Sequence, residues 1–145
     1  MAAVLLVDSD AFTRHLLRIA LEVRWHSVFE ATSDRTALAL LADYPDPLVV
    51  VLSTRMPPRD GQQLLQAVAT DRTLRERHGY LVLTEEAGWL PPAFQPLAQR
   101  LLLRRLVPLH DLPVLWRTVT ELAARLPSPS STRPRPPRFH ARESA

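Results

Sequence analysis

The chain alternates short, uniformly apolar runs with longer segments in which apolar residues recur every three to four positions. "AVLLV" (3–7) is followed at once by Asp8-Ser9-Asp10, and "AFTRHLLRIALEVR" then places Phe12, Leu16, Ile19, Ala20 and Val23 at helical spacing. That order predicts a buried strand, a polar loop and an amphipathic helix. "HSVFEA" (26–31) reads as a second strand. Ser33 or Asp34 can cap a helix through Leu41, with Ala37, Leu38, Leu40 and Leu41 on its apolar side. Tyr44-Pro45-Asp46-Pro47 ends it, because proline cannot continue the backbone ladder.

The run "LVVVL" (48–52) is apolar throughout, as a central parallel strand covered on both faces would be. It leads into Ser53-Thr54 and a turn, Met56-Pro57 to Asp60-Gly61, after which "QQLLQAVAT" predicts a helix. The polar stretch "DRTLRERHG" either extends that helix or forms the connection to "YLVL" (80–83), a fourth strand ending in Thr84. Pro91, Pro92 and Pro96 shorten the next helix and place Pro92 in its first turn. A fifth strand falls within 101–107 and is stopped by Pro108. A fifth helix starts at Asp111 as cap and carries Leu115, Val119, Leu122 and Leu126 on one face. Five β–α pairs in this order predict a doubly wound, five-stranded parallel sheet with helices on both faces. In such sheets, sites form beyond the carboxyl ends of the strands. The positions of interest are therefore Asp8 to Asp10, Ser53 to Arg55, Thr84 to Glu86 and Leu106 to Pro108.

Composition narrows the chemistry. A length of 145 residues suits one domain, expected at 1–126. The remainder, 127–145, is rich in Pro, Ser and Arg without apolar periodicity and is expected to be disordered. There is no cysteine, which excludes disulfides, thiolate metal sites and thiol catalysis. All 18 basic side chains are arginine, so Schiff-base chemistry and a lysine phosphate clamp are excluded as well. The net charge of +3 resides in the tail, where Arg133, Arg135, Arg138 and Arg142 face only Glu143. Residues 1–126 carry 14 arginines and 14 acidic residues, a balance that argues against a nucleic-acid-binding surface. No segment approaches the roughly 20 apolar residues of a membrane span, and the short N-terminal apolar run lacks the basic flank of a signal peptide. A cytoplasmic protein without membrane association is expected.

These motifs together resemble the receiver domain of bacterial two-component response regulators, which has a flavodoxin-like (βα)5 fold. "VLLVDSD" is similar to the first strand and acidic loop of that family, and "LVVVLSTRMPPRDG" to its third strand and Met-Pro-x-x-x-Gly turn. "LVLT" matches the fourth strand with its threonine, and "LVP" falls where the family has a lysine–proline pair. The resemblance spans residues 3–126. It implies phosphoryl transfer from a histidine kinase to an aspartate after the third strand, supported by Mg²⁺ on an acidic pair and by a lysine after the fifth strand.

The positions that carry this chemistry are changed. Ser53 stands at the phospho-acceptor position, Ser9 replaces the second acidic residue, and Val107 replaces the lysine. Arg104 falls where the family has its switch aromatic, whereas Asp8 and the switch threonine Thr84 are retained. Asp10 reads as the cap of the first helix, and His15 as a surface residue. With two serines and a valine in place of charges, Mg²⁺ is not expected, no cofactor is expected, and Asp8 is the one weak candidate metal ligand.

The reading that follows is a non-enzymatic pseudo-receiver acting by protein–protein interaction with a histidine kinase or another signalling domain. The resemblance makes a homodimer conceivable and suggests Trp89, Phe94 and Arg104 as a contact region; the plainer alternative packs the two rings in the core. Two other readings stand beside it. Ser53 could accept a phosphoryl group with Asp8 as its base, or the arginine tail could bind a polyanion. No output domain follows the receiver-like body, so a direct transcription factor is not expected.

Overall fold

The computed structural model describes residues 2–56, 58–85, 92, 94, 95, 106–108 and 111–127. Its elements are β1 (Ala3–Val7), α1 (Ala11–Glu22), β2 (Ser27–Ala31), α2 (Asp34–Asp43), β3 (Val49–Ser53), α3 (Pro58–Thr70), α4 (Arg72–Arg77), β4 (Gly79–Thr84), β5 (Leu106–Pro108) and α5 (Leu112–Arg125). The five strands form one parallel sheet in the order β2-β1-β3-β4-β5. The expected doubly wound architecture is therefore present. Of the helix expected between β4 and β5 only residues 92, 94 and 95 are described, and Trp89, Arg104 and the tail beyond Pro127 lie outside the described residues.

Alternation along the strands builds two cores. Leu5, Val7, Val50, Leu52, Tyr80 and Val82 point to one face, where Leu40 and Leu41 of α2, Leu64, Leu65 and Val68 of α3 and Leu74 of α4 cover them. Val4, Leu6, Val49, Val51, Leu81 and Leu83 point to the other, under Leu17 and Leu21 of α1 and Leu115 and Val119 of α5. Burial on both faces is what makes β1, β3 and β4 continuously apolar instead of alternating.

Helix starts follow the predicted caps at Asp10, Ser33 and Asp111, and Asp71 adds one that the sequence reading did not name. Asp10, Ser33, Asp71 and Asp111 each accept a backbone N–H three residues on. Asp71 resolves the ambiguity at "DRTLRERHG", because capping at that point ends α3 and opens the short α4. Two boundaries differ from expectation. Asp60 and Gly61 belong to the first turn of α3, since the helix begins as early as Pro58, and Pro108 completes β5, pairing with Thr84, instead of stopping it.

Gly61 has a steric role in that turn. A Cβ at this position would overlap the ring of Phe94, which is buried in the core on the α2–α3 side. Phe94, expected as a contact residue, is thus a core residue pressed against a glycine, and its ring is not available to a partner.

At the opposite end of the sheet, His78 staples three segments. Its Nδ1 accepts the Leu48 N–H at 2.9 Å, so Nε2 carries the proton and donates to the Leu41 carbonyl at 3.0 Å. Burial holds its pKa down to about 4, from 6.5, with Arg77 acting in the same direction and the bond to Leu41 opposing.

Two outcomes are expected. Gly61→Ala should destabilise the fold by about 1–3 kcal/mol, seen as a drop in thermal midpoint that is smaller in a Phe94→Leu background. For His78, a pKa depressed in the folded state means that stability is full above the unfolded value and is lost as pH falls from 6.5 towards 4. The loss assignable to it is about 3 kcal/mol, measured as the difference in pH-dependence of urea unfolding between the wild type and His78→Gln.

Candidate functional site

The carboxyl ends of β1, β3 and β4 deliver Asp8, Ser53 and Thr84 to one edge of the sheet, all three buried. Asp8 sits one residue beyond β1, and its Oδ1 accepts the Asp10 N–H at 2.8 Å. Its backbone is fixed on both sides: the amide bonds Ala31 O at 3.2 Å, and the carbonyl accepts from Arg14 Nη1 at 2.9 Å. The second carboxylate oxygen, Oδ2, has no hydrogen-bond partner, and neither has Thr84 Oγ1.

Burial therefore pushes the Asp8 carboxyl above its usual range. The Asp10 amide, the Ser53 hydroxyl and the Arg55 guanidinium pull it back only in part, and the Asp10 carboxylate adds to the rise.

The β3–α3 loop is organised around Ser53. Its hydroxyl accepts the Arg55 N–H at 3.0 Å, and its carbonyl accepts the Met56 N–H at 3.3 Å. Thr54 N–H bonds Leu83 O at 3.1 Å, which keeps the loop in line with β4. Ser9 closes the other side by donating its hydroxyl to the Arg55 carbonyl at 3.2 Å. Both serines thus serve the backbone of Arg55.

The Arg55 side chain then spans the site. Its Nη2 lies 3.7 Å from Asp10 Oδ2 and its Nη1 3.6 Å from Glu85 Oε2. These groups are partly exposed, so each pair contributes less than about 1 kcal/mol; what matters is where the charge is placed. Asp10 Oδ2 also accepts the Thr13 amide at 2.9 Å and the Thr13 hydroxyl at 2.5 Å. Those two bonds to Thr13 hold its carboxyl below the usual range.

The sequence-predicted residues fall as follows. Asp8, Ser9, Asp10 and Ser53 converge with Arg55, and Thr84 lies at the end of the neighbouring β4. Val107 pairs in register with Leu83 in β5. Asp10 is a helix cap, as expected, and Arg55 pairs with Asp10 and Glu85.

Sequence reasoning missed the ion cluster behind the site. Glu30 at the end of β2 receives Arg14 Nε at 2.7 Å and also pairs with Arg18, which bridges to Glu22 at 3.1 Å. Burial alone would raise the Glu30 pKa, but Arg18 and Arg14 outweigh it and hold the carboxyl low. The Arg18–Glu22 pair was readable from its four-residue spacing; the Glu30 contacts depend on the crossover of the chain.

A receiver-type fold implies a hard dication at this edge, and such an ion takes about six oxygen ligands in an octahedron. The donor set offers one carboxylate oxygen without a hydrogen bond, Asp8 Oδ2. The acidic partner Asp10 is engaged with Thr13 and Arg55. Among the described residues, no group of three His, Cys, Asp or Glu could hold a metal.

No protein-family model matches the sequence, and no curated protein matches it either. Solved structures do. A CheY-like response regulator receiver domain protein from Methanospirillum hungatei superposes with a TM-score of 0.65 at 22% identity, over 84% of this chain and 94% of that one. The response regulator TrrA from Thermotoga maritima, in complex with Mg²⁺–BeF, gives a TM-score of 0.66 at 18% identity over 84% and 99% of the two chains. A putative response regulator from Chloroflexus aurantiacus gives 0.68 at 21% identity over 86% and 98%. The chain has the CheY-like, flavodoxin-like fold of response-regulator receiver domains.

Asp8→Asn keeps the acceptor that the Asp10 amide needs and removes the charge. A carboxyl whose pKa is raised on folding costs stability as pH rises from the unfolded value through the folded one. The variant should therefore melt above the wild type at neutral pH, and the gap should close on acidification as Asp8 takes up its own proton. A differential scanning calorimetry series over pH checks both parts.

Proposed function

We propose that the protein is a non-enzymatic signalling domain of receiver fold, a pseudo-receiver that works by binding a protein partner without an aspartyl-phosphate switch. The observation that carries this reading is the position of Arg55. Its guanidinium lies between Asp10 and Glu85 over an edge whose central residue, Ser53, is a hydroxyl committed to the loop backbone.

In a receiver that uses phosphate, mutually repelling carboxylates need a metal ion to compensate them, and the phosphoryl group brings more negative charge. Here the positive charge comes with the chain. Asp10 and Glu85 each already face a cation, and Asp8 relieves its burial by favouring the protonated form. The residues present do not fit Mg²⁺, and a dication entering this edge would have to displace Arg55 against charge repulsion.

The acceptor chemistry is unsupported for a related reason. A serine hydroxyl needs a neighbouring base to become a nucleophile, and Ser53 Oγ is oriented by accepting the Arg55 amide. Asp8 is the group that could take its proton, and burial favours the protonated form of that carboxyl, which lacks the free charge a base needs. The site is suited to holding the β3–α3 loop in one conformation. The partner is then a protein, a histidine kinase or another signalling domain, that recognises this fixed surface. We place the domain in or beside a two-component pathway on the strength of the fold and the retained Asp8 and Thr84.

Incubation with acetyl phosphate, with and without Mg²⁺, followed by intact-mass measurement tests this. The expected result is no phosphoryl adduct and no saturable change in Trp fluorescence on Mg²⁺ titration. An adduct at Ser53, or Mg²⁺ binding that is lost in Asp8→Asn, would overturn the reading.

A further inference from the structure

α1 is apolar on two opposite sides. Leu17 and Leu21 enter the core beside α5, and Trp116 of α5 secures the helix by donating its indole N–H to Ala20 O at 2.8 Å. Arg24 stacks over the Trp116 ring at 4.1 Å. The side turned away from the sheet carries Phe12, Leu16, Ile19 and Val23, exposed by 70%, 50%, 46% and 61%. Trp25 follows at 79%. These five are the exposed large hydrophobics among the described residues, and all fall within one stretch of 14 positions.

Scattered exposed leucines need no explanation, but a contiguous stripe with no described residue over it marks a contact surface. Trp25 adds to the case. It adopts a left-handed backbone conformation, φ 68°, at the position that closes α1, where its N–H bonds Glu22 O and the His26 N–H bonds Leu21 O. Helices usually close this way with glycine, because a side chain there is strained. Here the chain spends the strained position on an indole held in solvent.

We propose that this stripe is a self-association surface, on which α1 pairs antiparallel with α1 of a second copy of this chain. The spacing of the four residues, 4-3-4, is that of a two-helix seam. A twofold axis between Leu17 and Arg18 sets Phe12 against Val23 of the second copy and Leu16 against Ile19, so both ends of the seam are filled by the same two contacts.

The flanks decide the direction. On one side of the stripe lie His15 and Glu22, both exposed; on the other lie Thr13 and Ala20, both small. Antiparallel pairing brings like flanks together, so His15 of each copy meets Glu22 of the other, where its imidazole N–H can donate to the carboxylate that Arg18 already holds, and the small residues let the helices approach. Parallel pairing would place His15 and Glu22 against Thr13 and Ala20 and lose the polar contact between them. This assembly is distinct from the region of Trp89, Phe94 and Arg104 suggested by resemblance, and it does not depend on whether the site handles phosphate.

Sedimentation equilibrium of the full chain tests it. A reversible monomer–dimer equilibrium is expected, weakened roughly tenfold or more by Leu16→Glu with Ile19→Glu, while far-UV circular dichroism stays unchanged because both positions are exposed. If that pair perturbs folding, Leu16→Ser with Ile19→Ser gives the same reading with a milder change. The absence of cysteine makes direction readable by oxidation: a mixture of Phe12→Cys and Val23→Cys chains should form the mixed disulfide dimer in preference to either like pair. A chain that stays monomeric at high concentration, a dimer indifferent to both double variants, or cross-linking that favours Phe12→Cys with itself would overturn the proposal.

Discussion

The rest of the structure depends on the pairing of β1 with β3 in the middle of the parallel sheet. Val4 to Val7 lie beside Val49 to Leu52 in register, and both strands are buried on both faces. No polar side chain can be accommodated within these runs without a partner. Every residue able to do chemistry is therefore pushed past the strand ends. Asp8 follows β1 directly, Ser53 ends β3, and Thr84 ends β4 one strand further on. The same register that fills the core also gathers the site.

Given that edge, the electrostatics follow from what the chain supplies. One buried carboxylate with an unpaired oxygen is costly, and the sequence limits the cost by keeping Asp8 easy to protonate and by holding a single guanidinium nearby. The two serines are parts of the loop scaffold, since each fixes the backbone of Arg55 from one side. Ser9 and Ser53 are thus mutually consistent: together they build a support for an arginine.

Much of this was legible in the sequence, and the exceptions have physical causes. Uniform runs such as "LVVVL" and the caps Asp10, Ser33 and Asp111 identified strands and helix starts, because burial on two faces and unsatisfied N–H groups constrain residue type locally. The convergence of Asp8, Ser9, Asp10 and Ser53 followed from strand order alone. The partners of Arg55 did not, because an arginine side chain reaches far enough to choose among several acids, and that choice is fixed by tertiary placement. Gly61 was read as closing a turn, whereas its lack of a side chain is required by Phe94, more than 30 positions away.

The first helix shows how periodicity can name the right element and leave its function open. Phe12, Leu16, Ile19, Ala20 and Val23 do lie on one side of α1, and a hydrophobic stripe ordinarily faces the core. In this fold the core takes Leu17 and Leu21, because the connections from β1 and into β2, together with the bond from Trp116 to Ala20, fix how the helix is rotated on the sheet. The stronger stripe is left in water. The outer side carries four large apolar residues in seam spacing, with a tryptophan in a left-handed cap beside them. The two halves of the molecule thus differ in kind: the strand ends hold their loop by internal charge, and the back of α1 carries the exposed stripe proposed for self-association.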